Sequence, residues 1–473
     1  MTHQRIAIVG GGFSGISLLD HLVSNSEYDE SLEIDIYDKR SMMGNGHAYQ
    51  EDSMHLLLNI PTPDMAFGDK APNFESWLQS NGYATDTYTS RSLFGRYLRS
   101  RLDHICASYK NIEVRYAMIE DLQYDSSTRC FALYSEGQKK VYTHVFLTVG
   151  QLEYSDPYNL KGITNYIFDP YPVTDNLPRS GEKAIGILGC GLSAIDCIRY
   201  LLLETDTQEV HAFSRSGEMP SVRGTYSEIT LQFFTSERLH KLVHNDEISL
   251  LELKALFVRE LAHQGVDWRL FFRRTGNTRQ DLQYDLEHPE AVGKLQYLIS
   301  AANPLFSDIF QYLSHSDKSE FLSKYHPLIE ENHSPMPAPV AEGLVEWMDS
   351  GKLRIIENIN NIDASDGFDV STADGWQFNM DIIINATGPS VKVQKDDGGV
   401  IGSILEHFLA SPDEFGGLLV DQNHHIISAR TGTVREMFVL GALTYGSNYL
   451  SQSVHLLNRS AEKIVKQFYA QTK

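Results

Sequence analysis

The 473-residue chain holds four cysteines, Cys106, Cys130, Cys190 and Cys197. No two of them form a C-x-x-C pair, and none stands at zinc-site spacing from histidines. Dithiol–disulfide chemistry and a structural metal centre are therefore not expected. Four scattered thiols read as reduced and mostly buried, in a cytoplasmic protein. Basic residues are also scarce: 40 Lys and Arg stand against 62 Asp and Glu, a formal net charge of −22. Such a surface repels phosphate backbones and anionic bilayers, which argues against nucleic-acid and membrane partners. No apolar run approaches the roughly 20 residues that cross a bilayer. The opening "MTHQRIAIVG" has no basic stretch followed by an apolar core, so no export signal is expected.

What is present is ordinary in bulk and specific in pattern. Hydrophobic residues make up 42% and charged residues 22%, as in a folded globular protein. The length predicts two or three domains. Residues 5–9, "RIAIV", read as a buried strand, followed by Gly10, Gly12 and Gly15 and then helical spacing. "LEIDIYD" (32–38) is a second strand ending on Asp38. This is the opening of a doubly wound α/β sheet. The device returns at "AIGILGCGLSAIDCIRYLL", with Gly189, Gly191 and Ala194. The distance from Gly10 to Gly189 is far too long for a solenoid repeat and fits a duplicated nucleotide-binding domain.

In such a turn the first glycine permits the bend. The second lets a pyrophosphate approach the backbone, and the third lets the helix pack on its strand. The phosphates then rest on free N–H groups at the helix start. Asp38 is placed to accept hydrogen bonds from a ribose diol. After the second turn the next strand ends in "AFSRSG", so Ser214 and Arg215 stand where an acid would bind NADH. A hydroxyl and a guanidinium there suit a 2′-phosphate and favour NADPH. The alternatives are that Arg215 is a plain surface arginine, or that the second domain is vestigial. Strands are also expected at "YTHVFLTVG" (142–150), "KLRIIENI", "DIIINATG" (381–388) and "EMFVLGAL" (436–443), with a helix from about Ser451 to the end. "PYNLKGITNYIFDPYPV" reads as a linker, and residues 227–330 as mainly helical.

Taken together, these segments resemble the two-dinucleotide-binding flavoproteins. The likeness is strongest to bacterial FAD/NAD(P)-binding proteins, which are related to class B, N-hydroxylating flavin monooxygenases. The likeness extends to "GNGHAYQEDSMHLLLNIPTPDMAF" (44–67), "TYTSRSLFGRYLRSRL" (87–102) and "FSRSGEMPSVRG" (213–224). It implies two Rossmann-like domains, one for FAD and one for NADP, with a helical insert in the second. The implied limits are 1–178 and 391–473 for the FAD domain and 179–390 for the NADP domain, with the insert at about 227–330. "LTVGQLE" and "NATGPS" would mark the passages between them. By position, Gly10, Gly12, Ser14, Gly15, Asp38 and Lys39 would hold FAD, and Gly441 would face the flavin. Gly189, Gly191, Ala194, Ser214 and Arg215 would hold NADPH.

Candidate catalytic residues are His47, Asn59 and His333. His47 would donate a proton near the flavin or else cap its loop. Asn59 would orient the ring through its amide or else stabilise a turn. His333 lies in "EENHSPMPAPV" (330–340), a loop where a histidine commonly faces solvent. The small-molecule substrate is expected at the domain crevice, near the flavin ring. The implied activity is NADPH-dependent monooxygenation of a small molecule with O₂, through a flavin C4a-peroxide. The alternatives are electron transfer to a non-oxygen acceptor and a non-catalytic nucleotide sensor. The stretch "NYIFDPYPVTDNLP" lacks the Gly and His of the Baeyer–Villiger linker, so that reaction is not expected.

Overall fold

A computed structural model describes residues 4–472, apart from 66, 69–71, 180, 182 and 366. The chain divides into two compact units: residues 1–51, 60–153 and 389–473 form the first, and 52–59 with 154–388 the second.

The first unit is built on a six-stranded sheet. Its order is His425–Ser428, Gly432–Val439, His144–Leu147, Arg5–Val9, Glu33–Tyr37, Ile112–Arg115. All neighbours pair parallel except the antiparallel edge pair of His425–Ser428 with Gly432–Val439. In Arg5–Val9, Ile6, Ala7, Ile8 and Val9 are all buried. That is why this strand reads as a continuous apolar run: helices and a second sheet cover its two faces. The helix Phe13–Ser24 comes directly after it and packs on the C-terminal helix Val454–Thr472. Ser17 Oγ donates to Asn458 Oδ1 at 2.8 Å, and Tyr469 Oη to the Leu22 carbonyl at 3.1 Å. A smaller antiparallel sheet, Asp121–Asp125, Cys130–Ser135 and Gln138–Tyr142, shares one core with the main sheet through Leu122, Phe131, Leu133, Val145 and Leu147.

The second unit repeats the plan with five parallel strands. Their order is Leu353–Ile356, Val210–Phe213, Ile185–Leu188, Ile382–Asn385, Tyr166–Ile167. Helices follow between Ser236 and Asp349, a layer whose Leu282, Val340, Ala341 and Leu344 share the core of the sheet. A buried ion pair ties that layer to the segment after strand Val210–Phe213. Arg273 Nε donates to Asp285 Oδ1 at 2.7 Å, and Asp285 Oδ2 accepts the Val222 N–H at 3.0 Å. Asp285 is 1% exposed, and its carboxylate is fully satisfied by these donors, as a buried charge must be.

Three sequence expectations change. The expected linker contains the strand Tyr166–Ile167 and the helix Val173–Asn176, and Tyr166 pairs with Ile383. The first boundary therefore falls between 153 and 154 rather than at 178/179, and the last between 388 and 389. Residues 52–59 also count with the second unit: Asp52 accepts the N–H groups of Val173 and Thr174, and Leu56 lies in the core with Ala194 and Ile198. The helical layer runs to Asp349, not 330, because prolines open new helices at His326–His333 and Ala338–Asp349 instead of ending them. Of the thiols, Cys190 and Cys197 are buried, while Cys106 and Cys130 are half-buried; all four are unpaired.

His424 offers a direct check on the core of the first unit. It is 4% exposed. Burial, helped by the nearby Lys463 ammonium, pushes its imidazole down to about 4. The unfolded chain takes up this proton near pH 6.5 and the folded chain only near pH 4. The stability is complete above pH 6.5 and falls through that window, by about 1.4 kcal/mol per pH unit for one proton. His424 sits at φ +66°, which asparagine tolerates. His424→Asn should make the decline of the thermal midpoint between pH 6.5 and 4 shallower by one proton's worth. An unchanged slope would mean His424 titrates normally.

Candidate functional site

The two glycine turns are near copies in backbone geometry. Gly10 and Gly189 have φ of +113° and +112°. The helix-opening residues Gly12 and Gly191 have φ, ψ of −80°, −163° and −77°, −171°, and neither helix start carries a side-chain cap. Gly10 N–H donates to the Tyr37 carbonyl at 2.9 Å, and Gly189 N–H to the Phe213 carbonyl at 2.8 Å. Each turn thus springs from a strand and presents the uncapped N–H groups of a helix start, the local chemistry that holds a phosphate.

Steric room explains why the first positions are glycine. A Cβ on Gly10 would stand 2.2 Å from the Thr148 carbonyl oxygen, and one on Gly189 2.5 Å from that of Ala386. A Cβ on Gly15 would stand 2.0 Å from the Gly10 carbonyl oxygen. The corresponding Ala194 is fully buried, its methyl packed in the core with Ile187 and Ile198. Around Gly191 nothing comes within 4 Å of a built Cβ, which leaves open space over the second helix start.

The two turns lead into different chemistry. Asp38 accepts the Gly11 N–H at 2.7 Å through Oδ2 and the Lys39 N–H at 2.7 Å through Oδ1. Burial raises its pKa, and these two N–H groups oppose that rise. The carboxylate is thereby fixed beside the turn, with lone pairs left for further donors. Lys39 itself is exposed. In the second unit Ser214 Oγ accepts the Gly217 N–H at 2.6 Å and so shapes its own loop. Arg215 is exposed, and its carbonyl accepts the Asn358 N–H.

Ser14 and Gly441 come together. Gly441, at φ +96°, opens the turn Ala442–Thr444, and a Cβ built on it would lie 3.4 Å from Ser14 Oγ. Three further features of the first unit were not among the expected site residues. The loop of Gly44, Asn45 and Gly46 passes against the first turn. Gly44 N–H donates to the Gly11 carbonyl at 2.8 Å, and a Cβ on Gly12 would meet Gly46 Cα at 3.2 Å. Gly44 and Gly46 have φ of +99° and +64°. Arg99 Nη2 donates to Asn45 Oδ1 at 2.7 Å and anchors that loop. The closely spaced glycines of "GNG" were the readable signal; Arg99, 54 residues from Asn45, gave none. A cavity of about 270 Å³, lined by Tyr37, Arg115, Tyr116, Ala117, Glu136 and Lys140, opens where strands Glu33–Tyr37 and Ile112–Arg115 end.

The three candidate catalytic residues are divided between the units. His47 comes just after the glycine loop of the first unit, half-buried, and its carbonyl accepts Gln50 Nε2 at 3.1 Å. Asn59 belongs to the second unit, where its carbonyl accepts Arg223 Nε and Nη2 at 3.0 and 2.7 Å. His333 is not in an open loop. It ends the helix His326–His333, half-buried, and its Nδ1 accepts Asn303 Nδ2 at 2.7 Å. Burial and the Arg223 guanidinium push it down to about 4, so it is a neutral hydrogen-bonding group at pH 7.

The fold and its paired turns define two Rossmann-like, dinucleotide-binding domains. Residues 7–152 match the FAD-NAD(P)-binding family model. No curated protein matches the sequence. Among solved structures, the chain is similar to ornithine hydroxylase from Pseudomonas aeruginosa, with a TM-score of 0.61 and 16% identity over 100% of both chains. It is similar to L-lysine 6-monooxygenase from Pseudomonas syringae, with a TM-score of 0.61 and 14% identity over 100% of both chains. The ornithine N-hydroxylase of Kutzneria sp. 744 gives a TM-score of 0.56 and 15% identity, again over 100% of both chains. At these identities the shared property is the fold. Among the described residues, no helix is long and apolar enough to cross a membrane.

The contrast between Gly15 and Ala194 is testable. Gly15→Ala forces a methyl onto a backbone carbonyl and should displace the helix from its strand, lowering the flavin retained on purification by at least about tenfold. Ala194→Gly only removes a methyl and should leave flavin content unchanged. Equal flavin in the two variants would show that the close approach at Gly15 does not govern binding.

Proposed function

We propose that this protein is an FAD-dependent, NADPH-using monooxygenase that acts on a small molecule with O₂, in the manner of the N-hydroxylating enzymes whose fold it shares. The observation that carries the reading is the duplication of one turn with two different endings: Asp38 after the first, and Ser214 with Arg215 after the second. One ending suits a ribose diol and a resident cofactor. The other suits a 2′-phosphate and a donor that comes and goes.

When bound, the flavin supplies hydride acceptance and oxygen activation, which no side chain provides. The chain's own residues bind and orient. Gly10, Gly12 and Gly15 let the pyrophosphate of FAD reach the N–H groups that open helix Phe13–Ser24. Asp38, already fixed by Gly11 and Lys39, accepts from the ribose. Ser14 and Gly441, which meet in the first unit, border the flavin end, and the loop of Gly44 to Gly46, braced by Arg99, closes over the first turn. His47 lies just beyond that loop and is the candidate to pass a proton.

In the second unit, Gly189, Gly191 and Ala194 offer the equivalent cradle to NADPH. Ser214 and Gly217 hold the loop from which Arg215 reaches the 2′-phosphate. Asn59 and His333 belong to this unit as hydrogen-bonding groups. Neutral at pH 7, His333 would offer a substrate a donor at Nε2 while Nδ1 stays on Asn303. Four unpaired thiols suit a reducing, cytoplasmic setting.

The yellow protein should bleach with NADPH under argon and consume NADPH in air, with a faster rate and a hydroxylated product when a matching small amine is supplied. Fast bleaching with slow reoxidation in air and no oxygenated product would assign it to the oxidoreductases that use another acceptor. Arg215→Ala should raise KM for NADPH by about ten- to hundredfold while leaving that for NADH unchanged. A uniform loss with both nucleotides would remove Arg215 from the 2′-phosphate.

A further inference from the structure

The helix Leu250–Gln264 is amphipathic in an unusual sense, with apolar residues on its inner and its outer faces. Leu250, Leu253 and Leu261 are buried inward. Glu260 is buried with them and accepts the N–H groups of Gln232, Phe233 and Phe234, at 2.9, 2.6 and 2.9 Å through one oxygen. The helix is also closed at both ends. Ser249 Oγ accepts the Leu251 N–H, and Gly265 stops it at φ +66° in the left-handed region. It is therefore a fixed element, and its outward side chains are not spare core.

Outward it shows Leu251, Ala255, Val258 and Ala262, all exposed. Leu251 is 73% exposed and Val258 57%. Their spacing of four, three and four residues is that of a coiled-coil seam, and the two alanines leave room for a second helix to come close. Trp268 and Phe272, 56% and 63% exposed with ring centroids 6.0 Å apart, open the turn that follows the helix.

We infer that this seam is where a second copy of the chain docks, helix Leu250–Gln264 against helix Leu250–Gln264, antiparallel about a two-fold axis. The flanking charges select both the partner and its direction. Glu252 and Arg259 are exposed on one edge of the seam, seven residues apart. In an antiparallel pair, each Glu252 meets Arg259 of the second copy, twice over by symmetry. A parallel pair would put Glu252 of one copy and Arg259 of the other on opposite edges of the seam, so the exchange is lost. The guanidinium of Arg259 lies over the Phe233 ring at 4.5 Å, which holds it near the seam. The partner is a like chain because the seam is complementary to itself.

The test uses the full flavin-loaded protein in sedimentation velocity and light scattering, from about 1 to 100 µM, the range expected of a modest interface. The wild type should pass from monomer to dimer in this range. Leu251→Glu with Val258→Glu should stay monomeric, with unchanged flavin content and circular dichroism. Glu252→Arg and Arg259→Glu should each weaken the dimer by at least about tenfold, and the double exchange should restore it. A wild type that remains monomeric, a dimer indifferent to the two glutamates, or a double exchange that stays as weak as its parents would each overturn the assignment. So would finding that the seam captures a different protein while copies of this chain ignore one another.

Discussion

The first unit turns on one atom pair: the carbonyl oxygen of Gly10 and the α-carbon of Gly15. A side chain at residue 15 would lie 2.0 Å from that oxygen. Because none is there, the helix starts on top of its strand, and its open N–H groups stand at the sheet's edge instead of a turn away. Other features depend on this closeness. Thr148 Oγ1 donates to the Gly10 carbonyl at 2.8 Å from the neighbouring strand's exit. Asp38 reaches the N–H of Gly11 only because the turn is this tight. Gly44 to Gly46 and Gly441 then approach the turn at close range. Glycine's conformational cost is accepted there for an approach of helix to strand that no larger residue would allow.

The second unit relaxes that constraint by one methyl group and loses the acid. Ala194 lies where Gly15 would be, and the surroundings of Gly191 are open. A site that holds a permanent cofactor gains from tight packing and a fixed carboxylate. A site that must release its nucleotide each cycle is better served by open space and an arginine on an exposed loop.

Much of this architecture was legible in the primary structure, for a physical reason. Buried parallel strands are apolar on both faces, and each turn advertises itself by glycine at fixed offsets. Thus Arg5–Val9, Ile185–Leu188, Val210–Phe213 and Ile382–Asn385 all lie in the segments where strands were expected. The strand Tyr166–Ile167 was not readable, since two residues have no periodicity and the surrounding Pro, Gly and Tyr argue for a loop. Pro339, in the stretch read as a loop, in fact lies in the first turn of the helix Ala338–Asp349. Residues 52–59 resemble their flanks in composition, and it takes their contacts, Asp52 on Val173 and Thr174, Leu56 in the core and Asn59 on Arg223, to show where they belong. His333 looked exposed in a loop rich in proline; its bond to Asn303 depends on a helix thirty residues away.

The order of the strands along the chain has a consequence for synthesis. The second unit lies almost wholly within 154–388, whereas the first is assembled from both ends of the chain. Strand His144–Leu147 waits for Gly432–Val439, and helix Phe13–Ser24 waits for Val454–Thr472. On the ribosome, the later-numbered unit can therefore be complete while the lower-numbered one still shows the bare flank of its central sheet. An exposed parallel strand of Val145, Phe146 and Leu147 invites wrong pairing during that interval. The nascent chain thus depends on Gly432–Val439 and Val454–Thr472 to close the domain that Arg5–Val9 began.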